Sequence, residues 1–323
     1  MKLKLIFQLF IFLSLSCLNA QNNNKLLDSL NLLLQNKKLP DTSIFRIKID
    51  IGTIGYIDRL GYWDSLKHDI DLKLKKSTNK DIILKLSFYN ASAINCIGYL
   101  YEQKGLMAKS LELYTQSFNV LNKVKLNSDS LLTIKILIDK AQIIDNIATV
   151  SHKLGLINKG KVYHNKSLQI RLQINNKEGI AQSYNNLGAV EAQEGNIKLA
   201  LDYYFKCLKI REEIEDWKGI AQVYGNIATL YSQLYGLEKA LVLHRKSLYY
   251  YTKINSKSGI SHVLNNIGTC FSDLRQLDSA SFYYQKALNL RLELGNKKTI
   301  GYSYLGIGRL NVLQKNTKKG RKF

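Results

Sequence analysis

One short segment recurs at a fixed spacing in the second half of the chain, and it constrains the fold more than any other feature. Residues 177–182 read KEGIAQ, and the segment returns as WKGIAQ at 217–222 and as KSGISH at 257–262. The spacing is forty residues each time, with no insertion or deletion. A constant period in this range is typical of stacked supersecondary units. The sequence therefore predicts a repeat fold.

Each period contains two helical patterns. From about residue 179 to 193, apolar or small residues recur at three- and four-residue spacing, which places one apolar stripe on one helix face. Gly195 and Asn196 interrupt this pattern, and a second amphipathic stretch follows from about 197 to 214. Two such helices bury their apolar faces only by stacking on neighbouring pairs. The predicted fold class is therefore all-α, a stack of antiparallel helix pairs.

Small residues stand at matching positions in successive units, where the two helices of a pair are expected to come close. A large side chain there would push the helix axes apart. Aromatic residues recur on the second helices, with His244 as the exception. The small residues form the series Gly188, Ala228, Gly268 and the series Ala200, Ala240, Ala280, and the aromatic ones are Tyr204 and Tyr284.

On these residues the chain resembles the tetratricopeptide repeat family, in its longer form of about forty residues. The residues that match in the first clear unit are Tyr184, Leu187, Gly188, Gly195, Ala200 and Tyr204. The proline that often closes the second helix of this family is missing. The resemblance implies an all-α, right-handed superhelical solenoid of about five to seven helix pairs. It also implies that the first helices line the inner, concave surface.

Three parts are predicted along the chain. Residues 1–20 are predicted to be a secretory signal peptide, because Lys2 and Lys4 precede an apolar stretch and Ala20 is small. Residues 21–79 are predicted to form an N-terminal helical region with a degenerate repeat. Residues 80–323 are predicted to form the repeat array, whose last repeat is incomplete and stops early in its second helix.

The signal predicts an exported protein, periplasmic or secreted. Lipidation of Cys17 is the less favoured alternative, because the leucine of a lipobox stands one place too late in Leu15-Ser16-Cys17. Contact with a membrane is expected only if Cys17 carries a lipid.

No catalytic, cofactor-binding or metal-binding set is found. Cys96, Cys207 and Cys270 stand in three different repeats without metal-ligand spacing, so they are expected to be packing residues. His164 and His244 occupy the aromatic position of the core. No glycine loop with a phosphate-binding lysine occurs. We expect a protein that is not an enzyme and uses neither cofactor nor metal.

The balance of charges favours acidic partners. The chain has 47 Lys and Arg against 25 Asp and Glu, a net charge of +22. Such an excess attracts acidic protein segments or other anionic surfaces. A nucleic-acid partner is not expected, because no DNA- or RNA-binding signature is found and the chain is predicted to be exported.

Polar residues recur on the face of the first helices that turns away from the partner helix. By the resemblance, they line the concave groove, and amides offer both donors and acceptors to the backbone of an extended peptide. The alternative is that the asparagines only bond between neighbouring helices. The predicted groove residues are Gln142, Asn146, Gln182, Asn186, Gln222, Asn226, Thr229, His262, Asn266 and Thr269.

The predicted function is non-enzymatic binding of a protein or peptide in this groove. A second hypothesis also rests on resemblance. Repeats of this length behind a signal peptide are similar to the sensing region of bacterial membrane-bound histidine kinases and related transcriptional regulators. On that hypothesis the chain is a truncated or diverged sensing region without its output domain.

Overall fold

The computed structural model describes residues 20–36, 39–55, 60–126 and 131–320, and they fold into fourteen α-helices without a strand. None of these helices combines the length and apolarity that crossing a membrane requires. Most of the predicted signal peptide, residues 1–19, lies outside the described residues. The helices are α1 (Ala20–Leu34), α2 (Asp41–Ile54), α3 (Leu60–Lys76), α4 (Lys80–Gln103), α5 (Met107–Asn122), α6 (Leu131–Lys153), α7 (Ile157–Gln173), α8 (Lys177–Gln193), α9 (Ile197–Glu213), α10 (Trp217–Leu234), α11 (Leu237–Lys253), α12 (Lys257–Asp273), α13 (Leu277–Leu294) and α14 (Lys297–Gly320).

The all-α fold of stacked helix pairs is confirmed, and the helix ends follow from local chemistry. The side chains of Asn176 and Asp216 accept the backbone N–H groups of Gly179 and Gly219, both at 2.9 Å. Such N-caps satisfy donors that a helix leaves unpaired in its first turn. At the other end of α8, Gly195 has φ +80°, a conformation that glycine adopts without steric cost.

The chain divides into two compact units, the first reaching to Tyr163 and the second starting at His164, within α7. In the first unit the main core lies among α3, α4, α5 and α6, with Ile70, Leu86 and Tyr114 fully buried. A smaller cluster around Leu30 and Ile47 packs α1 on α2.

The second unit contains the end of α7 and three successive pairs, followed by α14. The pairs are α8 with α9, α10 with α11 and α12 with α13. Neighbouring pairs share core clusters, so apolar residues of one pair bury those of the next. This is the packing expected of a repeat fold.

The small residues of the first helices accommodate the aromatic rings of the second helices. A methyl group added at Gly188 would lie 2.8 Å from Tyr204, and one added at Gly268 would lie 2.8 Å from Tyr284. In the middle pair the equivalent positions hold Ala228 and His244, and both residues are buried. Imidazole is smaller than phenol, so the exchange of glycine for alanine is matched by a smaller ring.

A buried arginine joins successive pairs, and the sequence patterns did not identify it. Arg171 Nη1 donates to the Gly179 carbonyl at 3.1 Å and to Ser183 Oγ at 2.8 Å. A methyl group at Gly179 would lie only 2.7 Å from Arg171 Cδ. The recurring glycine of residues 179, 219 and 259 is therefore explained, because a long side chain of the preceding helix lies across it.

The last helix differs from the expected repeat. By the period, a turn should fall at residues 315–316, yet α14 is one continuous helix from Lys297 to Gly320. The position of Gly195 is occupied here by Lys315. A helix continues where no glycine favours a left-handed turn.

Candidate functional site

In the second unit, the predicted groove residues lie at matching places on α8, α10 and α12. Gln222, Thr229 and His262 are exposed. The others are half-buried: Gln182, Asn186, Asn226, Asn266 and Thr269. A polar face therefore recurs from one first helix to the next.

Some of these amides bond to one another. Asn226 Nδ2 donates to Asn185 Oδ1 of the preceding pair at 3.0 Å, and Gln182 Nε2 donates to Asn186 Oδ1 at 2.8 Å. The bonding between neighbouring helices that the sequence left open is thus present at Asn226. An amide has two donors and an acceptor with two lone pairs, so each retains capacity for a ligand. Asn266 makes no side-chain hydrogen bond to any residue that the structure describes.

The threonines of this face have fewer hydrogen-bonding groups available to a ligand. Thr229 Oγ1 donates to the Gly225 carbonyl, and Thr269 Oγ1 donates to the Asn265 carbonyl, both at 3.1 Å. Thr269 Oγ1 also accepts from the Tyr284 hydroxyl at 3.2 Å. Their hydroxyl hydrogens are used within the helix, so these side chains present an acceptor rather than a donor.

In the first unit, the two predicted groove residues lie on α6. Gln142 is exposed and Asn146 is half-buried. Gln142 Nε2 donates to Asn146 Oδ1 at 3.1 Å, and Asn146 Nδ2 donates to Asn95 Oδ1 on α4 at 3.0 Å. The amides thus link two first helices of this unit.

Beside these amides lies a cavity of about 270 Å³ between α2, α4 and α6. Its apolar wall includes Phe88 and Ile143, and its polar groups come from all three helices. The lining residues are Arg46, Ile49, Asp50, Thr53, Phe88, Tyr89, Ser92, Asn95, Cys96, Lys135, Asp139, Gln142 and Ile143. Of these residues, the sequence analysis predicted only Gln142 to contact a ligand.

Burial perturbs the acids of the cavity. Desolvation raises the pKa of Asp139 to about 6, with Lys135 opposing the shift and Asp50 adding to it. Desolvation also raises the pKa of Asp50, while Lys135 and Arg46 oppose it. The Cys96 thiol has its pKa raised to about 12 by burial and by the nearby Asp139. This thiol therefore stays protonated and is not a nucleophile near neutral pH.

The other thiols are packing groups, as expected. Cys207 and Cys270 are buried, and burial raises the pKa of both. Across the described ranges, no three His, Cys, Asp or Glu side chains come together in a way that would hold a metal ion. That the protein needs no cofactor stays a prediction.

The repeats match a known family. Residues 139–213 and 219–293 match the family model described as tetratricopeptide repeat. Among curated proteins, none matches this sequence.

Solved structures share the fold at low sequence identity. The apo form of RapI has a TM-score of 0.62 at 14% identity, covering 94% of this chain and 84% of that chain. A Rap protein complexed with Competence and Sporulation Factor has a TM-score of 0.59 at 14% identity, covering 87% and 88%. The Rap conjugation gene regulator of plasmid pLS20, in complex with the Phr* peptide, has a TM-score of 0.58 at 14% identity, covering 87% and 78%. At this identity the likeness concerns the fold alone.

Proposed function

We propose that this chain, whose residues 139–213 and 219–293 match the tetratricopeptide repeat family, is a non-enzymatic scaffold that binds a segment of a partner protein or peptide along the first helices of its repeats. One observation carries the proposal. Helices α8, α10 and α12 present amide side chains at equivalent, solvent-accessible positions. Two structural neighbours support a binding role for this fold. One was solved in complex with Competence and Sporulation Factor and the other in complex with the Phr* peptide.

An extended peptide suits this face because its backbone alternates donors and acceptors. The free N–H groups of Asn186 and Asn266 would donate to peptide carbonyls. The amide oxygens of the same face would accept peptide N–H groups. The bond from Asn226 to Asn185 holds one amide in place, which lowers the entropy lost on binding. The net charge of +22 favours an acidic segment.

Changing Asn186, Asn226 and Asn266 together to alanine is expected to weaken peptide binding at least about tenfold, because several main-chain hydrogen bonds are lost at once. The probe is a set of linear peptides selected on the wild-type protein from a random display library, and the measurement is fluorescence polarisation. The matched control changes Gln285 and Asn289 to alanine. These residues form an exposed amide pair on the second helix α13, and their loss should leave peptide binding unchanged.

Two outcomes contradict the proposal. Either the selection yields no peptide that binds in solution, or the triple variant binds the selected peptides as tightly as the control while keeping the helical circular dichroism of the wild type. The alternative from the sequence, a sensing region of a histidine kinase or regulator, stays a prediction, because the matches above concern the repeats alone.

We also propose that the protein is exported by its N-terminal segment. The basic start and apolar stretch of residues 1–20 are the features that a signal peptidase substrate needs. Expression of the full chain in a Gram-negative bacterium is expected to give a periplasmic protein whose first residue is Gln21, as identified by N-terminal mass spectrometry. Changing Ala20 to a bulky residue should block that cut. An intact Met1 on soluble cytoplasmic protein would refute export, and a lipid on Cys17 would favour the lipoprotein alternative.

A further inference from the structure

We propose that the cavity of the first unit binds a free amino acid, or another zwitterion of that size, with the ligand ammonium at Asp139 and the ligand carboxylate at Lys135. This site lies on α2, α4 and α6, within residues 46–143. It is separate from the amide face of α8, α10 and α12, so the two proposals stand or fall independently.

The cavity holds one ion pair, Arg46 with Asp50, and two further charged groups, Asp139 and Lys135. Arg46 Nε lies 3.8 Å from Asp50 Oδ2, an ion pair within α2 in which neither of these two atoms makes a hydrogen bond within the described ranges. Asp139 has no hydrogen bond or ion pair with any residue that the structure describes. Lys135 Nζ lies 5.7 Å from the centre of the Phe88 ring, a cation–π contact that leaves its three N–H donors available.

One anion and one cation thus stand in the same cavity, four residues apart on α6. Asp139 is half-buried and Lys135 is exposed, and the attraction between them opposes the rise of the Asp139 pKa. A partly buried carboxylate without a hydrogen-bonded partner is costly, and a ligand that carries both charges would bond to both residues at once. A simple cation would leave the N–H donors of Lys135 without an acceptor, and a simple anion would leave the Asp139 carboxylate without a donor. The charge pattern therefore favours a zwitterion over either.

The size and the wall of the cavity narrow the ligand further. A volume of about 270 Å³ is at the small end for ligand pockets, which suits an amino acid better than a drug-sized molecule. Ile49, Phe88 and Ile143 are buried and form an apolar wall. An apolar side chain such as that of leucine would cover this wall and gain about 25 cal/mol for each Å² removed from water.

Asn95 adds a fixed polar contact. Its Oδ1 accepts from Asn146 Nδ2 at 3.0 Å, which fixes the orientation of the amide. Both N–H donors of Asn95 remain for the ligand carboxylate. Ser92 contributes less, because its hydroxyl donates to the Phe88 carbonyl at 3.1 Å.

The proposal is tested by titrating the full chain with a matched ligand series, measured by isothermal titration calorimetry. The series is L-leucine, its methyl ester, which lacks the carboxylate, and 4-methylpentanoate, which lacks the ammonium. We expect L-leucine to bind, and each molecule that lacks one charge to bind at least about tenfold more weakly. This arm needs no variant, so it does not depend on the folding of a mutant.

Two variants assign the charges. Asp139→Asn should weaken L-leucine and its methyl ester alike, because both carry the ammonium. Lys135→Gln should weaken L-leucine while leaving the methyl ester unchanged. The control is the double change Asp81→Asn and Lys85→Gln, which removes an equivalent pair with i,i+4 spacing on the exposed face of α4 and should leave all affinities unchanged.

The proposal is overturned by either of two results. One is the absence of binding heat for L-leucine, L-phenylalanine and L-valine at about 1 mM, the weak end of specific binding. The other is equal affinity for L-leucine and its methyl ester together with no effect of Lys135→Gln, which would leave a site for organic cations only.

Discussion

Replacing Arg291 by leucine is expected to lower the free energy of unfolding of the α13–α14 region by about 3 kcal/mol. The Arg291 side chain is 3% exposed. Its Nη1 donates to the Thr299 carbonyl at 3.1 Å, to Ser303 Oγ at 2.8 Å and to Asn265 Oδ1 at 3.2 Å. Ser303 is fully buried, so truncation of the arginine leaves a hydroxyl without its donor in the core. An orphaned buried polar group costs more than the hydrogen bond contributed.

The effect is measured by hydrogen exchange of the α14 amides, because stability in repeat proteins is local. A second change, Ser303→Val, should recover part of the loss in the Arg291→Leu background, since both polar partners are then removed. Lys257→Gln serves as the control, because it breaks only an exposed pair with Glu293 at 2.9 Å. Its effect should stay below about 0.5 kcal/mol. Equal exchange in Arg291→Leu and the control would show that the buried arginine contributes nothing.

The second unit is expected to lose about 3 kcal/mol of stability between pH 6.5 and pH 4 through a single imidazole. The His244 side chain is 2% exposed, and burial lowers its pKa from 6.5 to about 4, with a smaller contribution from the nearby His262. The unfolded chain therefore takes up a proton in this window that the folded chain does not. The contribution is fully present above pH 6.5 and disappears as the pH falls towards 4.

The comparison protein for this prediction carries Ala228→Gly and His244→Tyr together, which reproduces the glycine–tyrosine contact of the pairs on either side. Hydrogen exchange of α10–α12 is compared between the two proteins at pH 7 and pH 4.5. The wild type should lose stability relative to the double variant at the lower pH. Asp139, whose raised pKa acts in the opposite direction, is present in both proteins and cancels. The same pH dependence in both proteins would exclude His244 as the cause.

The repeat made much of the fold predictable. The forty-residue period predicted the helix pairs, and α8 and α9 end within a residue or two of the expected positions. The contact of Tyr204 with Gly188 also followed, because a small residue facing an aromatic one at constant spacing has few other packings. His244 was an exception in the pattern, and it coincides with the exchange of glycine for Ala228 at the equivalent position of the first helix.

The cavity was not predictable in the same way. Arg46 and Asp50 occur in the region of the degenerate repeat, and no sequence pattern singled out Lys135 or Asp139. Charged residues four apart within an apolar helix, as in residues 132–139, were the one available signal. Only the packing of three helices brings both pairs to one cavity.

By itself, the sequence determined the helical unit, its period and the places where small residues let helices approach, because these depend on residues close together in the chain. Tertiary structure alone decided which charges are buried and which lack a hydrogen-bonded partner. Burial and pairing arise from side chains on different helices, as with Asp139 beside Asp50 or Arg291 beside Ser303, and no local pattern encodes the distance between them.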